Sequence, residues 1–203
     1  MMGIPPRRNR ALKVPEGVRL LMHLSEKIKP FNYCPACGSG DISFDDMKKI
    51  GCRDCSFTYY QNVAAAVAAI LEYDKKVVLI ERAKDPGKGK LDLPGGFVDP
   101  KESAEEAIKR EIKEELRIDV RELRYLGSYP NIYKYEGVTY HTCDLFFYSK
   151  IDTLPTDFDR MEIEELFLIN PLEIPEDRIA FESVKIGLGI FKSSKSHVKH
   201  EAQ

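Results

Sequence analysis

The chain has 203 residues, 43% hydrophobic and 32% charged, with a net charge of −2. That length can bury a full core and suits one domain, or one domain plus a small module. The balanced charge gives no overall sign of a nucleic-acid or membrane-surface partner, and no apolar run is long enough to cross a bilayer.

Residues 1–30 carry seven Lys/Arg against two acids, Glu16 and Glu26. Such a basic arm can touch phosphates, although a solvated tail is the plainer reading. Pro5, Pro6 and Pro15 break its first half, and no apolar segment of signal-peptide length follows. The expectation is a cytoplasmic protein whose cysteines are thiols or metal ligands rather than disulfides. Val18, Leu21, Met22 and Ile28 predict a short amphipathic helix over 16–28.

Residues 31–62 form a separate module of turn residues and short β-type runs. Cys34 and Cys37 make one C-x2-C pair, and Cys52 and Cys55 a second after fourteen intervening residues. Each pair lies on a tight turn beside Gly38 or Gly51, which aims two thiolates at one ion. Four thiolates make a closed tetrahedral zinc site with no position left for chemistry. The zinc is then structural, because so small a module cannot build enough core alone. The rivals are four ordinary buried cysteines or a redox C-x-x-C, for which two pairs are one too many.

From Val63 the texture changes. "VAAAVAAILEY" and "KKVVLIER" predict a hairpin of buried strands joined at Asp74–Lys76, and Leu91–Leu93 a short strand. Glu102–Leu116 is the clearest helix. Two long strands follow, turning at Glu136–Gly137, then the strand "EIEELFLI", and "DRIAFESVKIGLGIFKSS" closes the domain as a helix. Irregularly interleaved strands and helices favour an α/β sandwich with a mixed sheet. Cys143 reads as packing. Among the histidines, His141 alone is a candidate substrate contact.

The helix 102–116 poses a problem. Ala104, Ile108, Ile112 and Leu116 make its apolar stripe, yet Glu111, Glu114 and Glu115 crowd together and Glu115 turns toward that stripe. Like charges at such spacing destabilise a helix by about 0.2–0.5 kcal/mol per pair. A buried carboxylate must be matched or neutralised. A divalent cation is the natural match: Mg²⁺ takes oxygen ligands and shares them with substrate phosphates. Gly95–Gly96 just before let the backbone turn and approach a ligand closely. Glu102 stands at the expected helix start, where a carboxylate suits the dipole, and Arg110 can orient neighbouring acids through its fork.

Gly96, Glu102, Arg110, Glu111, Ile112, Glu114, Glu115 and Ile118 follow the pattern G-x5-E-x7-R-E-U-x-E-E-x-G-U, with U aliphatic, and resemble the Nudix box. The flanking loop, closing strand and closing helix are also similar to that family, so the resemblance covers about 63–192. It implies a Nudix-type α/β/α sandwich preceded by a small zinc ribbon, divided as arm and helix 1–30, ribbon 31–62, Nudix domain 63–192 and tail 193–203.

The resemblance also implies a hydrolase of nucleoside diphosphates linked to another group, using Mg²⁺ or Mn²⁺. Glu111, Glu114 and Glu115 would be the metal ligands, with Glu115 or Glu114 nearest the base role, and Glu102 and Arg110 would hold loop and helix. A further carboxylate is implied before the last strand, from Glu162, Glu164 or Glu165. A homodimer fits the family too.

One departure is Arg117 at the last glycine position, where a left-handed residue ends the helix and a non-glycine side chain costs about 1–2 kcal/mol. A ribbon placed before such a domain resembles the bacterial NADH pyrophosphatase group, whose S-Q-P-W-P-F-P-x-S signature falls here on "SYPNIY". Ser128 and Pro130 match and Tyr133 is aromatic, while the Trp and second Pro are missing. Tyr129, Tyr133 and Tyr135 share one strand face and suit stacking on a base or ribose, or cross-strand packing. ADP-ribose, NAD(H) or a related dinucleotide is the expected substrate. The contrasting expectation is a nucleotide-sensing regulator without turnover, its ribbon and arm contacting nucleic acid.

Overall fold

The computed structural model describes residues 31–45 and 48–200; the basic arm and the helix expected over 16–28 lie outside them. The chain divides between Gln61 and Asn62 into two compact units. Among the described residues no helix is long and apolar enough to cross a membrane.

The first unit is a three-stranded antiparallel sheet of β1 (Ile42–Asp45), β2 (Lys49–Cys52) and β3 (Thr58–Tyr60), in that order. Cys34 and Ile50 are its only buried hydrophobic residues among those described. Two side chains are little core for three strands, which suits a unit held together by its cysteine cluster.

The second unit is built on a mixed sheet. β4 (Ala64–Tyr73) and β5 (Lys76–Arg82) turn over Asp74 and Lys75, whose φ values of 45° and 64° suit a two-residue hairpin turn. The hairpin is not paired along its length. Beyond Glu72↔Val77 and Tyr73↔Lys76 the strands part, and the following chain fills the gap. β6 (Leu91–Asp92) pairs with β5, and β7 (Gly95–Phe97) pairs with β4. Gly95–Phe97 reads as loop in the sequence because three residues show no period; its strand character comes from the partner.

The helix α1 spans Ala104–Leu116. It begins two residues later than expected, because Ser103 caps it: the Ser103 side chain accepts from Glu106 N, and the Glu106 side chain accepts from Ser103 N. Arg117 ends it in the left-handed region at φ 58°, ψ 19°. β8 (Arg124–Tyr135) and β9 (Val138–Lys150) form the long hairpin over Glu136–Gly137, and β10 (Ile163–Ile169) closes the sheet in the order β10-β5-β4-β9-β8. β4 and β9 run parallel; the other strand pairs are antiparallel.

The closing helix α2 spans Glu182–His200, starting after Asp177 and continuing through residues expected as tail. Its late start has a local cause. Ile179 bridges Leu91 and Ala180 N donates to Leu91 O at 2.8 Å, so residues 179–180 are drawn alongside β6. Only a short 3₁₀ turn fits before them, at Glu176–Arg178.

Both sheet faces are buried, which is why β4 and β5 read as continuous apolar runs. Val67, Ala69, Leu71, Val78 and Ile80 face Ile108, Ile112 and Leu116 of α1. Ala68, Ile70, Val77 and Leu79 face Val184, Leu188 and Phe191 of α2. The result is an α/β/α sandwich. Ile108, Ile112 and Leu116 are fully buried; truncating any one to Ala costs about 2–5 kcal/mol.

Candidate functional site

In the first unit, Cys34 and Cys37 precede β1, Cys52 ends β2 and Cys55 precedes β3. Gly38 N donates to Cys34 O at 2.8 Å and Cys52 N to Phe57 O at 3.0 Å, closing one turn around each pair. The four sulfurs lie within 4.8 Å of one another, with Cys34–Cys55 at 3.6 Å and Cys37–Cys52 at 3.7 Å. A tetrahedral zinc with bonds of about 2.3 Å sets its sulfurs about 3.8 Å apart. The cluster therefore fits the zinc of a ribbon, with all four positions filled by protein.

In the second unit a cavity of about 380 Å³ opens where β7 lies between β4 and α1. Gly95 and Gly96 line it, and each lacks a side chain for a distinct reason. At Gly95, φ is 149° and a Cβ would lie 2.0 Å from Val67 O. At Gly96, a Cβ would lie 2.3 Å from Glu111 Oε1. The first glycine lets β7 pair with β4; the second leaves room for an α1 carboxylate.

Glu115 turns inward from α1 and is only 7% exposed. Gly95 N donates to its Oε2 at 2.9 Å, and among the described residues no cation pairs with it. Burial holds its pKa well above the usual carboxylate range, and the fields of Glu111, Asp92 and Glu162 push the same way. Glu111 also lines the cavity, and burial raises its pKa against the pull of Arg110.

Arg110 organises the rest. Its Nε and Nη2 donate to the two oxygens of Glu102 at 2.9 and 3.0 Å. Nη1 donates to Glu111 at 2.9 Å and Glu114 at 3.1 Å, and Nη2 also to Phe97 O at 3.0 Å. Glu102 is therefore tied to Arg110 rather than placed in the first turn of the helix. It lies two residues before α1, and its bond to Arg110 lowers its pKa despite partial burial.

Not every expected residue meets at the cavity. Glu114 has a side chain 59% exposed and points to Arg110 rather than into the cavity. Of the three later acids, Glu162 lines the cavity and accepts from Lys84 at 2.5 Å, whereas Glu164 and Glu165 are exposed. Tyr133 and Tyr135 line it, and Tyr133 lies 5.6 Å from the Phe181 ring. Tyr129 packs on Phe146 instead, at 5.6 Å, outside the lining. His141 alternates with the lining residues Thr142 and Asp144 of β9, so it takes the opposite sheet face, where its Nε2 is buried without a hydrogen-bond partner.

Several lining residues went unread in the sequence. Asp92 is buried, bonded to Arg82 at 2.8 Å, and raised to about 6 by burial against the pull of Arg82. Asp144, also buried, accepts from Thr142 at 2.5 Å and Ser183 at 2.6 Å. A lone acid inside each of the apolar runs "LDL" and "CDLFF" was the available signal.

The donor set suits a divalent cation. It is all oxygen, partly buried, and includes a carboxylate that, among the described residues, has one hydrogen bond and no paired cation, which a hard ion would neutralise. Among the described residues no three acids lie as close together as the four thiols.

A family model described as NUDIX domain matches residues 61–186. A protein named NAD-capped RNA hydrolase NudC from Vibrio atlanticus is 28% identical over 108 residues, covering 53% of this chain and 39% of that protein. A protein named ADP-ribose pyrophosphatase from Methanocaldococcus jannaschii is 45% identical over 73 residues, covering 36% of this chain and 43% of that protein. The chain thus spans about two fifths of the length of these curated relatives. The crystal structure of a NUDIX hydrolase from Nitrosomonas europaea superposes with a TM-score of 0.60 at 26% identity, covering 82% of this chain and 93% of that one.

Proposed function

The chain belongs to the Nudix family, and on that premise we propose that it is a divalent-metal-dependent pyrophosphohydrolase, cleaving ADP-ribose, NAD(H) or a related dinucleotide into two monophosphates. The observation that carries this reading is Glu115: a buried carboxylate that no cation pairs with among the described residues, held by Gly95 N–H at the wall of a cavity it shares with Glu111 and Glu162. Mg²⁺ or Mn²⁺ is the cation proposed, with Glu111, Glu114 and Glu115 as ligands and Glu162 joining them. Glu114 shares its Arg110 nitrogen with Glu111, and an exposed pair of this kind is worth about 0–1 kcal/mol, so its release is inexpensive. A divalent cation there neutralises the diphosphate and lowers the pKa of the attacking water.

The chain's own groups do the positioning. Arg110 fixes Glu111 and ties Glu102 to the loop. Gly95 and Gly96 keep the wall free of side chains. Glu115 or Glu114 accepts the proton of the attacking water; for Glu115, burial raises the carboxyl pKa and brings a base closer to neutral pH. Tyr133, beside Phe181, and its neighbour Tyr135 offer aromatic surface to a base or ribose next to the diphosphate. We place the protein in the cytoplasm, as a homodimer or monomer without a membrane partner.

The test is a panel of ADP-ribose, NADH, an NAD-capped RNA and nucleoside triphosphates, each with Mg²⁺, with products separated by chromatography. AMP from ADP-ribose or NADH supports the reading, and a nucleotide monophosphate with a 5′-phosphate RNA extends it to capped ends. Faster pyrophosphate release from a triphosphate overturns it. Tight binding without turnover of any compound points instead to a nucleotide-sensing regulator.

A further inference from the structure

The cavity is lined by cations as well as acids, and they are held in different ways. Arg82 is committed within the protein: its Nε donates to Pro86 O at 2.7 Å, its Nη1 to Asp92 at 2.8 Å, and its guanidinium lies 5.1 Å from the Phe181 ring centre. Arg110, behind the wall, is committed to Glu102, Glu111, Glu114 and Phe97 O. Lys84 is different. Its side chain is 50% exposed, and its ammonium meets Glu162 at 2.5 Å on an acid that is itself 42% exposed. Lys84 and Glu162 both line the cavity.

Glu162 therefore has two suitors. One is the Lys84 ammonium. The other is any cation shared with Glu111 and Glu115, whose carboxylates both feel the Glu162 charge. Lys84 likewise has a second use. A lysine ammonium is a point charge with three donors on a flexible stem, well suited to a phosphate oxygen. An ion pair between two half-exposed side chains is held weakly enough to exchange. A dinucleotide diphosphate entering this cavity meets Asp92, Asp99, Glu111, Glu115, Asp144 and Glu162 on its walls. It needs every cation that can be turned toward it, and Lys84 is the lining cation whose partner has a use elsewhere.

We propose that Lys84 is a substrate-binding residue that exchanges Glu162 for a non-bridging oxygen of the diphosphate when a divalent cation takes up the Glu162 carboxylate. The proposal rests on the reading that Glu162 joins Glu111 and Glu115 at the metal, and adds the chain's own phosphate contact. Its consequence is coupling: metal frees Lys84 for substrate, and substrate removes the competitor of the metal, so each tightens the other by the same factor.

The experiment uses the full zinc-loaded chain and reads free Mn²⁺ by electron paramagnetic resonance, so metal binding is measured without turnover. Lys84→Met, which removes the competitor, is expected to bind Mn²⁺ about two- to five-fold more tightly than the unmodified chain. Steady-state assays of the same variant should show KM raised about ten- to hundred-fold, the loss of a charge-assisted hydrogen bond, with kcat within about two-fold. Lys84→Arg should restore most of the KM. A non-hydrolysable diphosphate analogue should tighten Mn²⁺ binding in the unmodified chain and do so less in Lys84→Met. Unchanged or weaker Mn²⁺ binding in Lys84→Met, or a fall in kcat at constant KM, overturns the exchange alone. Mn²⁺ binding that Glu115→Gln leaves untouched overturns the carboxylate metal site itself, and the exchange with it.

Discussion

Glu115→Gln should make the protein more stable in buffer freed of divalent cations other than the ribbon zinc, while abolishing turnover. The carboxylate is 7% exposed, with one hydrogen bond, from Gly95 N at 2.9 Å, and three acids whose fields oppose its ionisation. Its folded pKa stands well above 4.5, so between those values the native state holds a proton that the unfolded chain has lost. Stability must then fall as pH rises through that window and stay low above it. Glutamine keeps an oxygen for Gly95 N–H and carries no charge, so a gain of about 1–3 kcal/mol is expected at pH 7.5, the cost of a buried polar group left incompletely satisfied. For a unit of this size each kcal/mol is about 2–4 °C in Tm. Calorimetry at pH 5 and 7.5 should show the gain shrinking at the lower pH. Saturating Mg²⁺ should reverse the ranking, since ligand at a hundred times Kd adds about 2.7 kcal/mol to the chain that binds it. Destabilisation by Glu115→Gln at pH 7.5 without Mg²⁺ would show that the carboxylate is a satisfied structural acceptor, and would refute the cation argument.

The two adjacent glycines should fail differently. Gly96→Ala places a methyl 2.3 Å from Glu111 Oε1, the end of a movable side chain, so the fold should persist while turnover drops at least about ten-fold; Gly95→Ala meets the Val67 carbonyl at 2.0 Å and should lower Tm or prevent folding. Equal thermal stability of the two variants would contradict this. Cys34→Ser should abolish the one-to-one zinc stoichiometry seen by metal analysis and speed amide exchange in residues 31–61, with the transition of the other unit unchanged. Arg117→Gly should raise stability by about 0.5–1 kcal/mol by denaturant titration, the left-handed strain relieved less the added chain entropy, with no change in kcat.

What the sequence made legible was whatever has a period or a fixed spacing. The apolar stripe of α1, the inward turn of Glu115 and the paired cysteines are all local patterns, and local geometry sufficed. The parts that went unread depend on distant strands. Gly95–Phe97 became β7 only because β4 and β5 splay beyond their turn. The closing helix started late because Leu91 claims the backbone at Ile179 and Ala180. Tyr129, Tyr133 and Tyr135 share a strand face, but only the assembled sandwich places Phe146 under the first and the cavity beside the others.

The same distinction explains why the acids of α1 differ in burial though they crowd one helix. Glu114 and Glu115 are neighbours in sequence, yet one side chain is 59% exposed and the other residue only 7% exposed. A turn of about 100° per residue separates them, and what lies beyond each differs: Arg110 on one side, the backbone of Gly95 on the other. Arg110 in turn reaches back through Phe97 O and Glu102 to the loop that carries the glycines. Loop and helix are thus cross-linked twice, by Arg110 and by the Gly95–Glu115 bond, with Glu111 between them. A cation bound here would meet two carboxylates already held, Glu115 by Gly95 N–H and Glu111 by Arg110, while Glu114 would first leave Arg110. Fewer rotamers then remain to be frozen on binding. That partial pre-organisation would offset the cost of like charges crowded on one helix.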